Sequence, residues 1–110
     1  MKGDYLGEFE QMILLALVRL GDNAYGMTIR QEIEERTGRG VTIGAAYATL
    51  DRLEEKGYVS STLGEPTAIR GGRSKRFFRL TPRGAEALNQ SRRALEQMWA
   101  GLNPIGEGAI

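Results

Sequence analysis

Two helical patterns joined by only four residues, Gly38-Arg39-Gly40-Val41, constrain this chain more than any other feature. A link that short cannot cross a domain, so its flanking helices must be neighbours that meet at an angle. Upstream, Ile29 and Ile33 recur four residues apart while Arg30, Gln31, Glu32, Glu34 and Glu35 are polar. This predicts a helix that begins between Tyr25 and Thr28 and ends at Gly38. Downstream, Thr42 is suited to cap a helix that runs through Lys56 and stops at Gly57. On a wheel centred on Leu50, Ile43, Ala46, Leu53 and Gly57 fall within about 60° of it and are expected to pack inward. Gly44, Ala45, Ala48, Thr49 and Arg52 are assigned to the opposite face.

The surrounding segments complete the order. Phe9, Ile13, Ala16, Leu17 and Leu20 share one face of a first helix over residues 6–20, which Gly21-Asp22-Asn23 ends. Tyr58 to Leu63 is rich in β-branched and aromatic residues and reads as a strand. Gly64 to Lys75 lacks an apolar period and reads as a loop, and Arg76 to Leu80 as the returning strand of a hairpin. Thr81 and Pro82 open a last helix that extends to Leu102, where Asn103-Pro104 breaks it. The fold class is therefore mainly α with a small β-hairpin, in the winged helix-turn-helix layout. Residues 1–81 are expected to form the DNA-binding domain, residues 82–102 a dimerisation helix, and residues 103–110 a disordered tail.

Composition removes most other functions. The chain of 110 residues has no cysteine and no histidine. Disulfides and thiolate sites are absent, and so are the commonest general base and metal ligand. No phosphate-binding glycine loop or nucleophile elbow is present, so an enzyme is not expected and no cofactor is assigned. The longest apolar run, Met12 to Val18, is far shorter than the roughly 20 residues of a spanning helix, and no secretory signal is visible. A cytoplasmic protein without a membrane partner is expected.

The net charge is only +1, but its distribution is uneven. Between Glu65 and Glu86 lie Arg70, Arg73, Lys75, Arg76, Arg79 and Arg83 with no acid, while the rest of the chain is net acidic. Arg70, Arg73, Lys75 and Arg76 fall at the hairpin tip, where glycines let the backbone follow a groove and arginines fork onto phosphates. The helix from Thr42 presents a small, uncharged N-terminal half, as a helix entering the major groove requires. Ala45 and Ala48 suit thymine methyls, Thr49 a base edge, and Arg52 guanine or phosphate. Tyr47 sits at the boundary, with its ring positioned to pack and its hydroxyl to reach a phosphate. The plain alternative is that the alanines only favour helix and that Arg52 is a solvated charge.

The stretch Gly44 to Val59, with Tyr47, Leu50, Leu53 and Gly57 at fixed spacing, resembles the PadR family of bacterial transcriptional regulators. So do the basic wing, the run Phe78-Arg-Leu-Thr-Pro-Arg-Gly84, the apolar first helix and Tyr25-Gly26. The resemblance extends from about Glu8 to Ala100. Two departures stand out: Tyr25-Gly26 replaces the frequent Gly-Tyr order, and Phe78 replaces the usual tyrosine and loses its hydroxyl. The resemblance implies a homodimeric repressor on a palindromic operator, released by a small molecule that in some members is planar and aromatic. It implies that Thr42, Gly44, Tyr47, Ala48 and Arg52 lie near double-stranded DNA, with Arg73, Lys75 and Arg76 in the wing.

The last helix supports self-association without that resemblance. Leu88, Ser91, Leu95, Met98 and Leu102 recur at spacings of three and four, a coiled-coil-like seam, and Trp99 beside it suits an interface anchor or a ligand-stacking ring. The competing function is a winged-helix protein-interaction module that uses the acidic face of the second helix. Such a module has no need of four cations on the hairpin.

Overall fold

A computed structural model describes residues 5–64 and 75–106. The elements are α1 (Glu8–Leu20), a 3-10 turn (Gly21–Asn23), α2 (Gly26–Thr37), α3 (Ile43–Glu55), β1 (Val59–Leu63), β2 (Arg76–Leu80) and α4 (Pro82–Trp99). This is the winged helix-turn-helix order expected from the sequence. The last helix is shorter than expected, ending at Trp99 instead of Leu102. The expected tip cations Arg70 and Arg73 lie outside the described residues.

Local chemistry explains the boundaries. Thr42 Oγ1 accepts from Ala45 N at 3.1 Å and Thr81 Oγ1 from Gly84 N at 3.0 Å, so each threonine satisfies an orphan amide of the helix it caps. At α2, Tyr25 N donates to Thr28 Oγ1 at 3.0 Å. The link between α2 and α3 is held by Val41 N donating to Glu34 Oε2 at 3.0 Å, with Val41 itself buried.

Helix α1 is the hub, in contact with α2, α3, β2 and α4. Its buried face is accordingly wide and includes Leu14 beside Ile13, Ala16 and Leu17. Ile29 and Ile33 from α2, Ala46, Leu50 and Leu53 from α3, and Phe78 from β2 close on it. Burying side chains such as Leu50 and Leu53 stabilises the packing of α3 by about 1.5–3 kcal/mol each. Ile43 does not join this core. It is 39% exposed although it lies on the Leu50 side of the wheel; it is the first residue of α3, ahead of the first buried position, Ala46.

The hairpin pairs Val59 with Leu80 and Leu63 with Arg76 in antiparallel register. Phe78 N donates to Ala24 O at 2.8 Å, and an isolated bridge joins Tyr25 to Phe77. The segment before α2 thus ties the wing to the helix-turn-helix. Helix α4 starts where Thr81 N donates to Tyr58 O and Thr81 Oγ1 to Gly57 O. Gly84 is required there: a Cβ at this position would lie 2.1 Å from Tyr58 O.

Candidate nucleic-acid interface

The cap and first turns of α3 expose small, uncharged residues, and its charged exposed residues, Asp51, Arg52 and Glu55, come in the last turns. Thr42, Gly44, Ala45, Ala48 and Arg52 are exposed, and the last four lie on the outer face that helical spacing predicts. Together they leave a shallow, uncharged strip ending in one guanidinium. A backbone or base edge can approach such a strip closely.

Thr49 is a correction. It is only 3% exposed and cannot present a hydroxyl to a base edge. The wheel explains why: Thr49 is 100° from Leu50 but only about 40° from Leu53, so it belongs to the flank of the core face. Its Oγ1 instead accepts from Arg52 Nη2 at 3.2 Å, while Arg52 Nη1 lies 3.5 Å from Ala48 O. Arg52 therefore lies back along its own helix, held by a buried hydroxyl.

Tyr47 is half buried, with its ring centroid 6.3 Å from that of Phe78. Its hydroxyl is set against Gly26 at the start of α2, where an added Cβ would lie 2.6 Å from it. Glycine at position 26 is what lets the ring seat there. The ring packs as anticipated, and the hydroxyl is turned to the helix-turn-helix junction.

Arg76 stands at the base of the wing and is not a free cation. Its Nη1 lies 3.2 Å from Asp51 Oδ1, its Nη2 2.5 Å from Glu54 Oε1, and its Nε donates to Ser61 Oγ at 3.2 Å. Ser61 Oγ in turn donates to Glu54 Oε2 at 2.8 Å, and the Arg76 guanidinium covers the Phe78 ring at 4.9 Å. Nothing in the local sequence signalled this cluster, because its partners on α3 are 22 and 25 residues away. Lys75 is exposed, with its Nζ 4.5 Å from the Tyr25 ring centroid.

Towards the C-terminal end of α4 and just beyond it, Leu95, Met98, Trp99 and Leu102 are more than half exposed. Leu88 is partly buried against the core. Ser91 is a second correction: it is 4% exposed and its Oγ accepts from Leu6 N at 3.0 Å. It pins α4 to the entry of α1 within one chain and is no part of an exposed seam. The heptad-like spacing cannot separate these cases, because one stripe of a helix can pack inward at one end and project free at the other. Tyr5, Leu15 and Val18 add exposed apolar surface on α1 and its entry. Grooves of about 590 Å³ flank Leu95, one of them floored by Leu15, Leu88 and Trp99.

Among the described residues there is no group of histidine, cysteine or acidic side chains that could hold a metal ion. No described helix is long and apolar enough to cross a membrane.

Known proteins agree with this geometry. The model of the transcriptional regulator PadR-like family matches residues 14–90. Transcriptional regulator Rv3488 of Mycobacterium tuberculosis is 38% identical over 77 residues, which cover 70% of this chain and 67% of that protein. A transcriptional regulator from Clostridium thermocellum is similar in structure, with a TM-score of 0.69 and 28% identity over 82% of this chain and 84% of that one. A PadR-like transcription factor from Bacteroides fragilis gives 0.71 and 26%, over 82% of each chain. The family match spans the helix-turn-helix, the wing and the start of α4, and the chain belongs to the PadR-like family of transcriptional regulators, which are not enzymes.

Proposed function

We propose that the protein is a repressor that binds a palindromic double-stranded DNA operator as a homodimer. The observation that carries this reading is the exposed, uncharged strip of Thr42, Gly44, Ala45 and Ala48 on α3, ending in Arg52. In this reading α3 enters the major groove by its N-terminal half, with Ala45 and Ala48 against bases and Arg52 reading guanine or holding phosphate. The tip cations Arg70, Arg73 and Lys75 meet flanking phosphates. Thr49 acts behind Arg52, and Tyr47 supports the helix from within.

Pairing of two chains through α4 is supported by the exposed Leu95, Met98, Trp99 and Leu102, an apolar surface of the kind that marks an interface. A two-fold dimer sets two recognition helices about 34–36 Å apart, one turn of DNA. Release by a planar aromatic effector is supported by the groove at Leu15, Leu88 and Trp99, since such a compound would fill it and stack on the indole.

Ala48→Glu tests the docking of α3. The site is exposed, so the fold is retained, but a carboxylate there faces the phosphates and bases. Operator affinity should fall about a hundredfold in a fluorescence anisotropy titration. Unchanged affinity removes α3 from the interface.

A further inference from the structure

We propose that Arg76 is a positioning residue: it binds the wing to the recognition helix and screens two of that helix's carboxylates from DNA, and it is not itself a phosphate ligand. Asp51 and Glu54 are three residues apart on the flank of α3 that faces the wing. Asp51 is one turn beyond Ala48, so a bare carboxylate there would stand beside the surface that meets DNA. Arg76 reaches both acids with the two arms of its guanidinium and directs its Nε to Ser61. Three of its donors are thus committed within the chain, in a fork geometry that a lysine cannot reproduce.

The Glu54 side of the cluster is sheltered. The side chains of Arg76 and Glu54 are 36% and 34% exposed, Ser61 closes the ring from β1, and the Phe78 face lies beneath the guanidinium. Diverting Arg76 to a phosphate would strip both acids of their counter-charge next to a polyanion. The arrangement fixes the angle between the paired strands of the wing and α3 before DNA arrives, so that ordering cost does not fall on the binding step.

This rests on the docking of α3 proposed above, and wild-type operator binding tests that docking separately. The clamp is tested by a mutant cycle on operator affinity with Arg76→Gln, the pair Asp51→Asn and Glu54→Gln, and the triple variant. The glutamine variant should bind about tenfold more weakly than wild type, yet cost less than threefold when the two acids are already neutral. The tenfold loss should also narrow as salt is raised, because repulsion from bared carboxylates is screened. A phosphate ligand gives the same or a larger loss in both backgrounds, and that result overturns the proposal. So does a loss that stays constant with salt, which would mark a purely structural ion pair, or no loss in either background. Should the glutamine variant not fold, Arg76→Lys tests the fork alone, since it keeps the charge but cannot reach both acids. Its loss should be smaller than tenfold and should vanish when the two acids are neutral, and a loss that persists there overturns the proposal.

Discussion

Replacing Ser91 with alanine separates a pin within one chain from a contact between chains. Leu6 N donates to Ser91 Oγ at 3.0 Å, with Leu6 7% and Ser91 4% exposed. The alanine variant removes the acceptor and leaves the Leu6 amide buried without a partner. That costs about 1–3 kcal/mol. For a domain of this size the melting temperature should drop by roughly 5–15 °C. The assay is thermal unfolding by circular dichroism at one fixed protein concentration, because association itself raises apparent stability. Hydrogen exchange at the Leu6 amide gives a local reading: slow in wild type, fast in the variant. Sedimentation should show the same assembly state for both. An unchanged melting temperature together with weakened association would refute the reasoning and put Ser91 back in the seam between subunits.

Three further outcomes are expected. Arg52→Ala should lower the ratio of specific to non-specific binding by about 1–3 kcal/mol in competition titrations, and Thr49→Val should lower it by less, since it frees Arg52 without removing it; equal losses on all DNA sequences would reduce Arg52 to a phosphate ligand. Leu95→Asp combined with Met98→Asp should convert the proposed dimer to monomers in sedimentation, and a dimer that persists would place the interface elsewhere. Replacing Arg73 and Lys75 with alanine should flatten the dependence of log K on log salt by about 0.9 for each phosphate no longer neutralised, with the preferred bases unchanged; an unaltered slope would turn the wing away from DNA.

What the sequence made legible was whatever is governed by neighbours in the chain. Thr42, Thr81 and Pro82 mark helix starts through bonds that span only a few residues, and the structure has them where the sequence put them. The strip of Gly44, Ala45, Ala48 and Arg52 was readable because helical spacing alone separates it from Ala46, Leu50 and Leu53. What was misread depends on the third dimension. Ile43 has the right angle but stands ahead of the first buried residue of α3, Ala46, and Thr49 lies at the edge of the core arc. Ser91 and Arg76 failed for a different reason. Both are polar side chains claimed by partners far along the chain, Leu6 and the pair Asp51 and Glu54, and no local pattern announces such a bond. Leu15 is a third kind of case: an apolar residue off the core face of α1, whose significance appears only once it is seen to share a groove with Leu95 and Trp99 of α4.

The most direct test of the central claim is selection of bound fragments from a random pool of double-stranded DNA by the purified protein. The account predicts an inverted repeat whose half-sites are centred about 10–10.5 base pairs apart or a multiple of that spacing. The repeat should disappear with Ala48→Glu, and its two halves should be uncoupled when Leu95 and Met98 carry aspartate. Enrichment of no motif, or of a single asymmetric site that survives Ala48→Glu, would contradict it.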